Sequence, residues 1–250
     1  MKHLALYILS AIVLAACSTG LPQQPTANSR IMADSDDTTI YGLVCDGSND
    51  TIIVFLHDPY DGTDPDTLNI LEASRARQVF GMLRTGDKVA IMRDTADEKR
   101  ASLVVVTQDL LGQWCYKVKP TLRRRAVMDS SDTDSLTSRQ PDSIKRMLNT
   151  EVEYGMTLKI DSVAMPIGMS AGRTFTDGER LVEFPPLKRY RQWYFHDGKL
   201  LLTQMALDSL GNTVPQSTDT ATLVILTPDT LVLRFNDGEQ AYYKKAEEAR

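Results

Sequence analysis

From Val152 onward the chain reads as one short strand after another, separated by turn residues. Val152, Tyr154, Met156, Leu158 and Ile160 alternate with polar residues or Gly155, the period of a half-buried strand. Segments 190–196 and 199–207 flank Asp197-Gly198, a dipeptide suited to the positive-φ positions of a tight hairpin. Segments 220–226 and 230–235 flank Thr227-Pro228-Asp229, and 239–245 follows Asn236-Asp237-Gly238. Short strands joined by tight turns predict an antiparallel meander. A meander long enough to curl closes into a barrel, because closure removes its unpaired edges.

The first half is patterned differently. Strands are expected at 39–45 and 51–56, around the turn-rich Asp46-Gly47-Ser48-Asn49-Asp50. Leu68, Leu71, Ala76, Val79, Phe80 and Leu83 follow helical spacing, with Thr67 as the expected N-cap. Gly86-Asp87 turns into a strand at 88–92, and 101–107 is another. Two strands, a helix and two strands make an order that looks like an OB-type module. Such modules often bind oligonucleotides or oligosaccharides, but a fold does not carry its function with it. A further strand at 110–118 opens a second domain. Residues 120–150 interrupt that domain with Arg123-Arg124-Arg125, the polar run Asp129–Ser135 and a short helix at 143–148. Most of this segment reads as a loop insertion.

The N-terminus breaks both patterns. A basic start, Met1-Lys2-His3, precedes an apolar run from Leu4 to Ala16 interrupted at Ser10, and Cys17 follows directly. That is a secretory signal peptide, too short to span a bilayer as a stable helix. Cys17 behind small residues resembles the lipobox of bacterial lipoproteins. The resemblance implies cleavage before Cys17, acylation of that residue, and anchoring to the bacterial outer membrane. No acidic run directly follows Cys17, which favours a face toward the periplasm over surface export. Residues 18–37 are polar and contain proline, so they form a tether. Twenty such residues have an r.m.s. span of about 25 Å.

Composition narrows the partners. The chain has 250 residues and a formal charge of −5, made one unit more negative by loss of Lys2 with the leader. A mildly acidic surface outside the cytoplasm argues against nucleic acid. Cys45 and Cys115 remain in a compartment where disulfides persist. Either they form a bridge closing about 70 residues, worth roughly 4 kcal/mol in the chain-entropy model, or they are buried free thiols. With His57 and His196 alone in the mature chain, material for a transition-metal site is thin.

The second half resembles the lipocalin-like lipoprotein domains of bacterial envelopes. The resemblance rests on Leu110-Leu111-Gly112-Gln113-Trp114, Gly155-Met156-Thr157-Leu158, and the stretch Ala164-Met165-Pro166-Ile167-Gly168-Met169. It continues through Trp193 ahead of Lys199-Leu200-Leu201-Leu202, the segments 219–225 and 226–233, and Tyr242-Tyr243, and so covers 109–246. The long insertion and Pro185-Pro186 depart from it. It implies a barrel and a compartment, and it supplies no catalytic residues.

Several constellations bear on chemistry. Gly168-Met169-Ser170-Ala171-Gly172 matches a nucleophile elbow, with His196 and Asp177 as conceivable partners. The βαβ setting that raises such a serine is missing, so a turn of small residues is the better reading. Asp58, Asp61, Asp64 and Asp66 crowd one loop without the spacing of a calcium site. Lys117, Lys119 and Arg123–Arg125 form one basic patch, and Lys188, Arg189 and Arg191 another. These read as solvated faces or contacts for lipid headgroups or an acidic partner.

The expectation is therefore a mostly β protein. A signal peptide (1–16) and a lipid-anchored tether (17–37) lead to an OB-like β domain (38–108). A lipocalin-like barrel follows (109–246), with its loop insertion near 120–150. The expected role is a non-enzymatic, membrane-anchored envelope lipoprotein that binds a small apolar ligand in the barrel, with neither cofactor nor metal. Trp114, Tyr154, Trp193 and Tyr194 are the candidate ligand-facing residues, and Tyr190 belongs with them to the aromatic set that either lines a cavity or fills a core. The alternative is a structural or protein-docking module of the envelope with filled barrels.

Overall fold

The computed structural model describes residues 37–122, 141–168 and 182–246. Residues 37–246 belong to one compact unit built on two main sheets. The first sheet contains β1 (Ile40–Val44), β2 (Ile52–His57), β3 (Asp66–Asn69), β4 (Val79–Phe80), β5 (Lys88–Arg93) and β6 (Ala101–Val106), in the order β3-β2-β1-β5-β6-β4. A parallel bridge between Asn69 and Arg100 brings the end of β3 to the start of β6 and curls the sheet. Ile53, Phe55, Val89, Ile91, Val104 and Val106 fill the core inside this curl.

The expected helix over 68–83 is corrected. Leu68 and Ile70 are both buried, two residues apart, which is strand spacing. Thr67 lies in β3 and caps nothing; the Asn69 side-chain oxygen instead accepts from the Leu71 N–H at 2.9 Å. The helix, α1 (Leu71–Arg75), has only 5 residues. Arg77 then takes a left-handed φ of 56° and Gly81 a φ of 88°, which a continuous helix forbids.

The second sheet is the larger. It contains β7 (Gly112–Val118), β9 (Val152–Leu158), β10 (Ala164–Ile167), β12 (Tyr190–His196), β13 (Lys199–Leu207), β14 (Thr213–Leu226), β15 (Thr230–Phe235) and β16 (Gly238–Lys245). Its order is β10-β9-β7-β16-β15-β14-β13-β12, antiparallel throughout. A bridge from Val163 to Gln192, and the Trp193 N–H donating to the Ser162 carbonyl at 2.9 Å, bring the two edges together. The result is a nearly closed eight-stranded antiparallel barrel, and the protein as a whole is mostly β.

Two local features shape the barrel. Asp197 (φ 46°) and Gly198 (φ 70°) make the two-residue turn between β12 and β13, pairing His196 with Lys199. A Cβ on Gly155 would stand 1.9 Å from the Trp114 carbonyl oxygen, so only glycine lets β9 lie against β7 there. Outside the barrel, β8 (Thr121–Leu122) pairs with β11 (Val182–Glu183), and α2 (Asp142–Asn149) accounts for the end of the insertion.

One apolar cluster joins the two sheets. Phe80, Ala90 and Val105 of the first belong to the same core as Leu110, Trp114, Leu200 and Leu233 of the barrel. The unbroken valine run of β6 is thereby explained: Val104 and Val106 face the first core, and Val105 faces the barrel.

Candidate functional site

The barrel's two ends are built from different chemistry. One end is a packed floor. Trp114, at the start of β7, is fully buried, and its indole N–H donates to the Leu110 carbonyl at 2.7 Å. Lys244 lays its ammonium 4.9 Å from the Trp114 ring centroid and donates to the Asp109 carbonyl at 3.3 Å. Trp193 is 7% exposed, and its indole N–H reaches the Lys159 carbonyl at 3.0 Å. Tyr41 of the first sheet donates its hydroxyl to the Phe195 carbonyl at 2.8 Å, and burial pushes that phenol above its ordinary range. Met156, Leu158, Leu200, Leu202, Leu231 and Leu233 fill the space above the floor.

The other end holds a cavity of about 220 Å³. Tyr116 late in β7, Tyr190 at the head of β12 and the turn between β15 and β16 gather there because the strands run antiparallel. Tyr242, Phe235, Met156 and the strap Pro186-Leu187-Lys188 complete most of its wall. The rings of Tyr116 and Tyr242 meet edge to face at 5.3 Å and 87°.

A charged pair sits at the cavity. Asp219 of β14 accepts the Tyr190 hydroxyl at 2.5 Å and lies 3.1 Å from the Lys188 ammonium. The same ammonium is 3.7 Å from an Asp237 oxygen and 5.1 Å from the Phe235 ring centroid. Burial by itself raises the Asp219 pKa, but the hydrogen bonds from Tyr190 and Lys188 outweigh it and hold the carboxyl below its ordinary value. Burial raises all three cavity phenols, Tyr116, Tyr190 and Tyr242, and Asp219 raises Tyr190 further. These hydroxyls therefore remain neutral hydrogen-bond donors at physiological pH.

Comparison with known proteins adds little to this geometry. No family model matches the chain, and no curated protein matches it. A similar solved structure is the crystal structure of a lipocalin-like protein from Bacteroides thetaiotaomicron, 20% identical, covering 55% of this chain and 97% of that one, with a TM-score of 0.29. The barrel rests on its own strand pairing and edge closure.

The structure separates the four candidate ligand-facing residues from the cavity. Trp114 and Trp193 belong to the floor. Tyr154 is buried with its ring 6.2 Å from Tyr116, behind the cavity wall. Tyr194 alternates with buried Trp193 and Phe195, and so faces outward. The residues that do form the site include Lys188, Tyr190 and Phe235, with Asp219 behind them. Tyr116 had a visible signal, since it shares the parity of Trp114 along β7.

The remaining candidates disperse. Cys45 and Cys115 are both free, so of the two alternatives the bridge is not made. Asp58 pairs with Lys88, Asp61 accepts from Thr63, and Asp66 pairs with Arg93, so the acidic loop does not converge. Lys117 and Lys119 both pair with Glu151. His196 lies with Asp37 and Asp197 in the one group of potential metal ligands among the described residues. There Asp37 already accepts from the Thr39 and Asp197 amides, and Asp197 accepts from the Thr38 amide and hydroxyl, stapling the start of β1 to the barrel turn. Cys17, Arg123–Arg125, Ser170 and Asp177 lie outside the described residues.

Proposed function

We propose that the barrel mouth binds a small, largely apolar ligand. The observation that carries this reading is the cavity itself. Its wall sets Tyr116, Tyr190, Phe235, Tyr242, Met156 and Leu187 beside the polar side chains Lys188, Asp237, Glu239 and Gln240, a mixture of apolar surface and orienting polar groups that suits a small molecule. At about 220 Å³ it is smaller than the roughly 300–1,000 Å³ of drug-sized sites, so the ligand is shorter than a membrane lipid. Binding would be driven by desolvation against Tyr116, Met156, Leu187, Phe235 and Tyr242, without catalysis.

The setting proposed is the bacterial outer membrane. Acylated Cys17 anchors the chain, and the tether lets the globular part stand off the periplasmic face. The order of the first sheet, with the end of β3 beside the start of β6, supports an OB-like module at 38–108, and the nearly closed antiparallel sheet supports a lipocalin-like barrel at 109–246.

Calorimetric titration of the full chain in nanodiscs with toluene and 1-hexanol tests the site. Wild type binds, and Leu187→Trp, which fills the cavity from the strap, does not. Absence of binding to wild type, or equal binding by the variant, overturns the reading. The docking alternative has an observation of its own: Leu207 and Leu210, at the β13–β14 hairpin, are 72% and 85% exposed. A mouth that binds neither probe would shift the function to that hairpin.

A further inference from the structure

We propose that the mouth is a seat for an ammonium group, and that its ligand is a primary amine on a short apolar body that displaces Lys188. This rests on the reading of the mouth as a ligand site and goes further by naming the ligand's head group. The protein already shows what fits. The Lys188 ammonium sits 3.1 Å from Asp219, 3.7 Å from Asp237 and 5.1 Å from the face of Phe235, which is a cation between two carboxylates and an aromatic ring. Tyr190 donates to Asp219 at 2.5 Å and fixes the carboxylate's direction before any ligand arrives. The edge-to-face pair Tyr116 and Tyr242 lies beside it with room for a hydrocarbon body.

Lys188 is suited to leave. It stands on the strap between β11 and β12, and 47% of its side chain is exposed, so its flexible stem can swing into water without exposing a core. The charge count favours a cation as well. Lys188 pairs with both Asp219 and Asp237, while the nearby Glu239 is matched by Arg234 at 2.8 Å. A carboxylate ligand would have to take Lys188 from Asp219 and then lie beside two like charges. An amine takes the place of Lys188 and keeps both carboxylates paired.

The test compares hexylamine, 1-hexanol and hexanoate, one hydrocarbon body with three head groups, by calorimetry on the full chain in nanodiscs. Wild type is expected to bind hexylamine about tenfold more tightly than 1-hexanol and to bind hexanoate least. Lys188→Met, on the exposed strap, removes the competitor and tightens hexylamine alone. Asp219→Asn keeps the side chain's shape and abolishes the preference for amine over alcohol; retained 1-hexanol binding shows that the variant is folded. Equal binding of amine and alcohol, or tightest binding of hexanoate, overturns the ammonium seat and leaves the apolar mouth standing. Survival of the amine preference in Asp219→Asn also overturns it. Failure of all three probes overturns both readings.

Discussion

The floor and the mouth of this barrel are both lined by aromatic residues, yet the cavity described above lies at the mouth. At the floor the polar handles are two indole N–H groups, each with a single donor directed at a backbone carbonyl, Leu110 for Trp114 and Lys159 for Trp193. A backbone carbonyl cannot swing away, so the rings are held and the packing is closed. At the mouth the handles are phenol hydroxyls and charged side chains. Tyr190 is tied to Asp219, and Asp219 to a lysine on a strap, so the network ends on a group that reaches solvent. The contrast teaches that the partners of buried aromatics distinguish a plug from a site better than the aromatics themselves.

Removing a floor ring should have the largest effect. Trp114→Ala takes away a fully buried indole and the face under Lys244, and should cost about 3–5 kcal/mol in urea unfolding. A loss below about 1 kcal/mol would mean that the floor is not the barrel's structural anchor.

Tyr190→Phe should cost less, about 1–2 kcal/mol, because Asp219 keeps Lys188 and is partly solvated. The same variant sharpens the electrostatic side of the comparison. The Asp219 pKa is depressed in the folded protein, so its contribution is fully present above the unfolded carboxylate value near 4 and is lost as pH falls through the folded value. Removing the phenol raises the folded value toward the unfolded one, so the acid loss of stability should be smaller in the variant and complete at a higher pH. Superimposable acid-unfolding curves, after normalisation to neutral pH, would show that Tyr190 does not tune Asp219.

Leu210→Ser should have the smallest effect. Its side chain is 85% exposed, and stability should change by less than about 0.5 kcal/mol in the same unfolding assay. A larger loss would mean that the hairpin is packed in a way its exposure denies.

Much of the barrel was legible in the chain because its signals are local. The strands Tyr190–His196, Lys199–Leu207 and Thr230–Phe235 fall where alternation and turn residues place them. The beginning of β14 was not legible. Residues 213–218 are exposed and, Val214 and Pro215 apart, polar, and Pro215 sits opposite Met205 at a register shift, so no alternation of apolar residues marks the strand. The helix expected at 68–83 failed for the opposite reason: Leu68 of β3 packs in the first core and Phe80 of β4 in the barrel's core, and with Leu71, Ala76, Val79 and Leu83 their spacing imitates a single amphipathic face. The site was the least legible part. Lys188 and Asp219 are brought together by the β12-β13-β14 meander, and nothing in either residue's neighbourhood marks the pairing. The tryptophans drew attention instead, since indoles are prominent in a sequence whether they fill a floor or line a cavity.

The central claim is that ligand enters the mouth and leaves the floor untouched. The chain contains 2 tryptophans, and both belong to the floor, so its indole N–H signals report on that end alone. Titrating the full chain in nanodiscs with 1-hexanol, and following the tyrosine ring and indole N–H signals by NMR, reads both ends in one experiment. The account predicts that Tyr116, Tyr190 and Tyr242 shift and saturate together while both indole signals stay in place. Shifts of the indoles with the tyrosines unmoved, or no saturable shift at all, would contradict it.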